Sequence, residues 1–522
     1  MTVMNLSTDP WIPVASAAGE KGIVGLRQIF SEGQLWQDFA VRPHERVALM
    51  RLLICISQAA LEGPMRNLDG CLEELPAKAE AYLVKWHDCF DLFHPTKPFL
   101  QFAGLVKPPK KKKTTRKNAA GPPETEDTES STSPSKLDFA LATKNNTTLF
   151  DHLAASDQAR RFKPAELALM LITFQCFSPG GRIGVAKWRG TNTPGNGSSG
   201  HAPCCPSAML HAFIRGESIV ASIAANLLTF RTVNDLYRRD GWGDPVWQRP
   251  PESFNEAADI KNATETYLGR LMPLSRAILL ESDGTGLLLA NGLPYPSQPE
   301  FAPEPSASMV KKRDNTGYTL VGAGHRSLWR ELPALIVRRK INEAGGPLTL
   351  IEIDPEKPFD LWVGALMTDK ASILDTVEGV YSIPARMLRD EGRKAYEAEV
   401  EYSDQRVRRS LADAAKTYRQ LLELKPQGYP EQTAALRHYW TQVDQLVPML
   451  NAYIAAEDGS DVAEANRQAW RSALWRAARD AFQAACPNET PRQKRAYALA
   501  LRSLQGSQHK KDDAPTPATE IQ

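Results

Sequence analysis

The chain has 522 residues, with 63 lysines and arginines against 61 aspartates and glutamates and a formal net charge of +2. This length predicts two to four domains. The near-neutral charge argues against a freestanding nucleic-acid binder, so any such contact must come from local patches or from an interface shared with other subunits. The sequence has no apolar run long enough for a membrane span, so we expect none, and the composition of its first residues leads us to expect no signal peptide.

The seven cysteines have neither the spacing of a disulfide framework nor a Cys-x-x-Cys pair; they are Cys55, Cys71, Cys89, Cys176, Cys204, Cys205 and Cys486. A tetrahedral zinc site is therefore not expected, and we predict no cofactor. A reducing, cytoplasmic location fits this cysteine usage best.

The first 105 residues predict mixed structure, with a helix over 43–61 and a second helix over roughly 73–93. On that second helix His87, Asp91 and His94 would share one face, which is a metal-ligand spacing. The residues between them resemble core, which favours a structural role. A metal-dependent phosphohydrolase using this face remains as the alternative function.

Residues 107–136 interrupt this pattern with a cationic half, an acidic half and no large apolar side chain. Such a segment cannot bury enough surface to offset the entropy of ordering. We predict a disordered insertion, whose lysine run is a solvated charge cluster or a loose contact for phosphates.

A glycine-rich stretch, Ser178–Gly200, follows an apolar helix predicted at 164–177. It carries seven glycines, beside Arg182, Lys187, Trp188 and Arg189. Bare backbone beside cations suits a phosphate chain. The stretch has neither a Walker ending nor Rossmann spacing, so nucleotide hydrolysis is not indicated. A plain surface loop is the simpler interpretation.

The second half of the chain changes from helix to strand and back. We predict helix over 205–230, and strands and turns over 275–380 in runs such as RAILLES, GLLLANG, LTLIEIDP and LWVGALMT. Four helical segments follow at 386–424, 431–456, 462–485 and 491–505. Asp461 with Glu464 predicts a capping box, and Thr490 with Pro491 a helix start.

These elements predict an α+β fold, in which a large mixed N-terminal domain precedes a C-terminal antiparallel four-helix bundle. The expected boundaries are 1–380 for the mixed domain, 385–506 for the bundle and 507–522 for a disordered tail. Cations on the last two helices either face water or contact DNA phosphates; they are Arg467, Arg471, Arg476, Arg479, Arg492, Lys494 and Arg495.

Several segments, in the right order, resemble the large subunit (CasA) family of the type I-E CRISPR Cascade complex. They are NLSTDPWIPV at the start, HPTKPFLQ at 94–101, NNTTLFDH at 145–152, SPGGRIG at 178–184 and DKASIL at 369–374. The resemblance covers nearly the whole chain outside 107–136 and the tail. Each motif is weak alone, and five in order are specific.

The resemblance implies a non-catalytic antiviral subunit that reads the protospacer-adjacent motif (PAM) of foreign double-stranded DNA. It implies strand opening, R-loop formation and recruitment of a helicase-nuclease. The implied partners are the other Cascade subunits, CRISPR RNA and duplex DNA. The implied nucleic-acid-binding residues are Asn145, Asn146, Phe150, His152, Gly180, Gly181, Arg182, Thr368, Asp369 and Lys370.

Two departures limit what the resemblance transfers. The family's wedge position is often glutamine, where this chain has Lys370. The minor-groove lysine of some members has no counterpart, because residues 286–301 contain no lysine. The PAM that this chain reads therefore cannot be copied from relatives.

Overall fold

The computed structural model describes residues 4–62, 66–107, 132–139, 160–181, 183–194, 202–237, 241–296, 304–312, 317–324, 327–339, 344–369, 372–423 and 426–509. The α-helices are α1 (Leu26–Ser31), α2 (Pro43–Ala60), α3 (Cys71–Lys85), α4 (Pro164–Phe177), α5 (Ile219–Ala224), α6 (Phe230–Tyr237), α7 (Ala257–Glu265), α8 (Tyr267–Leu271), α9 (Leu332–Leu335), α10 (Asp390–Glu401), α11 (Arg409–Leu422), α12 (Pro430–Ala456), α13 (Asp461–Ala485) and α14 (Pro491–His509).

The strands are β1 (Ile12–Ala15), β2 (Lys21–Val24), β3 (Asp38–Phe39), β4 (Leu105–Val106), β5 (Lys187–Trp188), β6 (Thr191–Asn192), β7 (His211–Arg215), β8 (Arg276–Leu280), β9 (Leu287–Asn291), β10 (Met309–Lys311), β11 (Tyr318–Leu320), β12 (Phe359–Asp369) and β13 (Ser372–Ile383). They form the sheets β2-β1-β3, β4-β5-β6 and β13-β12-β7 and the hairpins β8-β9 and β10-β11. The predicted α+β class is confirmed, and none of the described helices has both the length and the apolar composition to cross a bilayer.

The chain divides into two compact units. The first comprises residues 1–325, 334–354 and 359–381, and the second comprises 326–333, 355–358 and 382–522. The second unit therefore includes two short pieces that precede its helices along the chain.

Two apolar helices form the centre of the first unit. Both α2 and α4 are buried on nearly every side, as expected for helices without a polar face. Each begins with a proline in its first turn, and the carboxylates of Glu45 and Glu166 accept the backbone N–H of Arg42 and Lys163 at 2.8 Å. The predicted helices at 43–61 and 164–177 are thus confirmed.

The second predicted helix is too long, because α3 ends at Lys85 and His87–Phe90 is a 3-10 turn. Beyond α3 the backbone bonds to the N-terminal segment instead of continuing the helix. The Leu6 N–H donates to the Phe90 carbonyl, and the Leu92 N–H donates to the Met4 carbonyl, both at 2.9 Å. These long-range pairs satisfy backbone groups that a longer helix would have satisfied internally.

The helix predicted over 205–230 is wrong, because its centre is strand β7. This strand pairs antiparallel with β12, with Phe213 opposite Trp362. The helical parts of the region are short, and α5 begins only after Gly216. Sheet pairing therefore overrides local helix propensity here. In the later region, the runs RAILLES, GLLLANG and LWVGALMT contain strands, but LTLIEIDP holds a 3-10 turn.

The predicted disordered segments are shorter than expected where the structure describes them. Thr132 bridges to Leu287, and Pro134–Leu137 forms a 3-10 turn, so the last residues of the 107–136 insertion are ordered. Residues 108–131 lie outside the described part. At the other end α14 continues to His509, so the tail prediction is wrong for residues 507–509.

The second unit contains the predicted C-terminal helices at nearly the expected bounds. The segment 386–424 is subdivided into a 3-10 turn, α10, a π-helical stretch at Tyr402–Arg408 and α11. Helix α12 packs against α13 and α11, and α14 packs against α11 and α13. The helical region is confirmed, and its arrangement as an antiparallel four-helix bundle stays a prediction.

Trp329 connects the first short piece, 326–333, to the second unit. Its indole N–H donates to Asp444 at 2.8 Å, and its carbonyl accepts the Tyr396 hydroxyl at 3.0 Å. The ring lies 6.3 Å from Trp440 and 6.2 Å from Trp470, and it is 1% exposed. This piece is therefore part of the core of the helical unit.

The helix caps correct one detail of the sequence analysis. Ser460, not Asp461, caps α13, because its hydroxyl accepts the Ala463 N–H at 3.3 Å. The cap predicted at Thr490 is confirmed: its hydroxyl accepts the Gln493 N–H at 3.2 Å, and Gln493 accepts the Thr490 N–H at 2.9 Å.

Candidate nucleic-acid interface

The glycine-rich segment begins directly after the C-terminal end of α4. The Ser178 N–H closes the helix on the Phe174 carbonyl at 2.8 Å, and Gly180 and Gly181 follow, half-buried. Gly181 has φ +149°, a backbone conformation that favours glycine. The returning chain pairs with this base, because the Ala202 N–H donates to the Ser178 carbonyl at 3.0 Å.

A buried arginine supports this base from the β8–β9 hairpin. Arg276 is 2% exposed, and its Nε donates to the Ser178 hydroxyl at 2.7 Å while one Nη donates to the Pro179 carbonyl at 2.8 Å. Burial lowers the pKa of the Arg276 guanidinium to about 10. The group therefore keeps its charge at neutral pH and fixes the two residues directly before Gly180.

Two side-chain amides complete this support. The Asn291 amide, opposite Arg276 in the hairpin register, donates to the Pro194 carbonyl at 3.2 Å. On α4, the Gln175 amide bonds both backbone groups of Arg276 at 2.9 Å and the Leu100 carbonyl at 3.1 Å. The HPTKPFLQ element, α4 and the hairpin are thereby joined beneath the glycine-rich segment.

A small hairpin forms the middle of the segment. Strands β5 and β6 are joined by Arg189 and Gly190, both in the left-handed region at φ +47° and +81°. The Trp188 indole is buried and donates to the Ala103 carbonyl at 2.9 Å. Lys187 and Arg189 are exposed, and the Arg189 guanidinium lies 5.5 Å from the Trp188 ring centroid. Arg189 also donates to the Glu252 carbonyl at 3.3 Å and lies 3.6 Å from the Glu252 carboxylate, so Lys187 is the cation of this hairpin without an acidic partner among the described residues.

The end of β12 lies close to the support of the glycine-rich segment. The register of β12 on β7 runs from Asp360–Arg215 to Gly364–His211, and β12 also packs against the 3-10 turn Pro206–Ala208. Thr368 is half-buried and Asp369 is exposed. Burial raises the pKa of the Cys205 thiol to about 11, although Thr368 and the charge of Arg276 act in the opposite direction. The chain that returns from the glycine-rich segment, residues 202–208, therefore bonds to Ser178 at one end and packs against β12 at the other.

The remaining predicted site residues lie outside the described part of the chain. They are Asn145, Asn146, Phe150, His152, Arg182 and Lys370. Asp369 and Ser372, which flank Lys370, end β12 and begin β13, two neighbouring strands.

The structure does not support the helical face on which the alternative metal site of His87, Asp91 and His94 depended. Asp91 follows the 3-10 turn in extended conformation, so His87, Asp91 and His94 do not share a helical face. Each also has a local partner: His87 lies 3.4 Å from Asn5, Asp91 accepts the Phe93 N–H, and His94 accepts the Lys97 N–H. Among the described residues, no set of three His, Cys, Asp or Glu side chains converges on a metal position.

Sequence reasoning missed Arg276, Asn291 and Gln175. Each is a polar residue in or beside an apolar run, which signals a buried hydrogen bond but does not identify its partner. The partners lie about 100 residues away along the chain in the Arg276–Ser178 and Asn291–Pro194 contacts. Only the fold brings them together.

The family model of CRISPR-associated protein Cse1 matches residues 5–481. The chain belongs to the Cse1 family. A Thermus thermophilus protein described as CasA/Cse1 is 25% identical in an alignment 519 residues long that covers 92% of this chain and 92% of the relative. The Cse1 structure from Thermobifida fusca has a TM-score of 0.74 at 21% identity and covers 97% of this chain and 98% of its own. A chain of a solved CRISPR RNA-guided surveillance complex has a TM-score of 0.67 at 17% identity, covering 97% and 100%.

Proposed function

We propose that this chain is the non-catalytic large subunit of a CRISPR RNA-guided DNA surveillance complex in the cytoplasm. In this proposal it joins the other Cascade subunits and the CRISPR RNA, and it recognises the PAM of foreign double-stranded DNA. It then promotes strand opening and R-loop formation and recruits the helicase-nuclease. Guide pairing reads most of the sequence in such a system, and protein reads a short motif and the duplex shape.

One observation carries this proposal. In a chain of the Cse1 family, the stretch 202–208 bonds to the anchored base of the glycine-rich segment at Ser178 and packs against β12 through its 3-10 turn. Both features can contact a duplex without an enzymatic centre between them. The glycine backbone can approach a groove closely because it carries no Cβ.

The chemistry of these groups fits minor-groove reading. The minor groove offers acceptors on every base pair, and the guanine amino group is its one donor. Backbone carbonyls of the glycine-rich segment can accept from that amino group, whereas the donor-only Lys370 serves acceptors or phosphates. We propose that Lys370 acts as a wedge at the first base pair beyond the PAM, while the glycine-rich segment follows the groove.

The test is a reconstituted complex assembled with guide RNA, with and without this subunit. We expect the full complex to prefer particular flanks in a library of duplex targets, and we expect this preference to vanish without the subunit. Binding to a complementary single strand should change little. An unchanged flank preference in the complex lacking the subunit would contradict the proposal.

The non-catalytic part of the proposal has its own test. The purified subunit should hydrolyse neither nucleotides nor DNA in the presence of Mn²⁺, Mg²⁺ or Zn²⁺. Its metal content should also not change in a His87→Ala/His94→Ala variant. Hydrolysis that disappears in that variant would restore the phosphohydrolase alternative.

A further inference from the structure

One register position of the β8–β9 hairpin differs from the rest. The pairs Ala277–Ala290, Ile278–Leu289, Leu279–Leu288 and Leu280–Leu287 are apolar, whereas Arg276 faces Asn291. Both polar residues are buried, at 2% and 4% exposure. Burying a guanidinium is costly, and an apolar pair would fit the pattern of the hairpin at lower cost. A purely structural hairpin would therefore not need this pair.

The two side chains contact the glycine-rich segment on either side of its β5–β6 hairpin, at Ser178–Pro179 and at Pro194. Arg276 fixes Ser178 and Pro179 with two donors of its planar fork, and Asn291 fixes Pro194. One Nη of the guanidinium also donates to the side-chain Oδ1 of Asn291 at 3.5 Å, so the two anchors are coupled. A planar fork sets direction as well as distance, which a lysine ammonium does not do.

We propose that Arg276 and Asn291 are positioning residues that hold the glycine-rich segment between Ser178 and Pro194 in the conformation that engages duplex DNA; this inference rests on the proposed function. A free glycine-rich segment would lose much conformational entropy on binding. Anchoring it at these two points restricts the segment before the ligand arrives, which lowers that cost. Neither residue contacts the DNA in this proposal.

The test compares Arg276→Gln with Arg339→Gln. Arg339 is a matched control because it is a buried arginine of the same unit, its pKa is also lowered to about 10 by burial, and it donates to the Ala307 carbonyl rather than to the glycine-rich segment. Both variants remove a buried charge and a buried trypsin site. Effects that both variants share indicate general destabilisation. Effects confined to Arg276→Gln indicate the loss of the contacts that hold the glycine-rich segment.

The first readout needs no DNA. We expect trypsin to cut the isolated Arg276→Gln subunit within the glycine-rich segment, at Arg182, Lys187 or Arg189, several-fold faster than it cuts Arg339→Gln. The second readout is the affinity of the assembled complex. Arg276→Gln should weaken binding to a PAM-bearing duplex about tenfold, the loss expected for a charge-assisted hydrogen bond, and binding to a single-stranded target less than twofold.

The outcomes separate the inference from the proposed function. Equal cleavage rates in the two variants, with equal losses on both DNA substrates, would overturn the positioning role. Faster cleavage with unchanged duplex affinity would support positioning but overturn the segment's proposed role in DNA binding. If Arg276→Gln does not yield folded protein, Asn291→Ala tests the other anchor, and we expect faster cleavage in the segment with a smaller loss of duplex affinity.

Discussion

His44 is a fully buried titratable residue whose two ring nitrogens have no hydrogen-bond partner in the described part of the chain. Its ring lies edge-on to Phe139 and Phe177, at centroid distances of 5.6 and 6.2 Å. Burial, with a smaller contribution from the charge of Arg42, lowers the pKa of His44 to about 3. The folded state therefore holds this ring neutral, whereas the unfolded chain takes up a proton near pH 6.5.

This shift predicts acid sensitivity. Because the folded pKa is depressed, the contribution of His44 to stability is present above pH 6.5 and is lost as the pH falls toward 3. At pH 5 the loss amounts to about 2 kcal/mol. His44→Phe keeps a ring between the two phenylalanines and removes the titration. When the pH is lowered from 8 to 5, the melting temperature of this variant should therefore fall less than that of the wild type.

Two other histidines provide reference points for that measurement. His211 should keep part of the slope in the variant, because burial lowers its pKa to about 4. His438→Phe, at an exposed position on α12, should leave the wild-type pH profile unchanged. A His44→Phe profile parallel to the wild type would show that His44 does not titrate with unfolding.

The proposed role of Lys370 as a wedge depends on its side chain and can be tested by removing that side chain. Lys370→Ala should slow strand opening on fully paired PAM-bearing targets far more than on targets already mismatched at the first pair beyond the PAM. The physical reason is that a wedge is needed only where a base pair must be opened. Opening can be followed by fluorescence of a base analogue at that pair. Equal losses on both substrates would make Lys370 only a phosphate contact.

At the scale of elements, α10 and α13 are joined by a buried carboxylate. Glu399 is fully buried and accepts hydrogen bonds from Arg467 at 2.8 Å and from Arg471 at 2.9 to 3.2 Å. The interpretation of these two arginines as part of a DNA-facing surface is thereby revised. Their donors are engaged within the helical unit, and the Arg471 guanidinium also lies 3.9 Å from the Tyr402 ring centroid.

Glu399→Gln should destabilise the helical unit. Removing one partner of a buried ion pair costs roughly 3–5 kcal/mol, and the partial exposure of the arginines favours the lower end. Glu464→Gln is the control, because Glu464 contacts the same Arg467 at 3.7 Å from an exposed position and should change stability by less than about 1 kcal/mol. Urea unfolding followed by far-ultraviolet circular dichroism measures both. Equal effects would show that Glu399 is not the central contact.

For the cations at the start of helix α14, contact with DNA phosphates remains a prediction. Arg492, Lys494 and Arg495 are exposed in its first two turns, where positive charge opposes the helix dipole. Within the described residues they make no salt bridge. Replacing all three by glutamine should reduce the slope of log affinity against log salt by about 0.9 for each DNA phosphate that the variant no longer neutralises. An unchanged slope would place them toward water or protein.

At the scale of the whole molecule, we propose that the chain acts as a subunit within its assembly. Phe150 follows a polar stretch, and the family resemblance suggests that it contacts the RNA handle and adjoining subunits. Phe150→Ala should leave the isolated subunit folded, with an unchanged melting curve, but weaken assembly or target binding. Removing one base–aromatic stack costs roughly 1–3 kcal/mol. Phe230→Ala, an exposed aromatic at the start of α6, is a control that should leave assembly unchanged. Unchanged target affinity at fixed salt in Phe150→Ala would assign Phe150 to the core of its own loop.

The sequence alone determined the elements whose signals are local. The bounds of α2, α4 and the C-terminal helices follow from apolar periodicity with proline, glycine and capping residues, and those signals act within a few turns. The sequence alone also revealed the glycine-rich segment and the ordered series of motifs on which the family resemblance depends.

Only the tertiary structure decided the features that depend on distant partners. Strand β7 replaces a predicted helix because β12 pairs with it, and α3 ends early because its next residues bond to the N-terminal segment. Arg276 and Asn291 became recognisable as supports only when the fold placed Ser178 and Pro194 against them. The physical reason is common to all three: burial of a polar group favours pairing with a hydrogen-bond partner, and that partner lies wherever the fold brings a complementary group, whatever its distance along the chain.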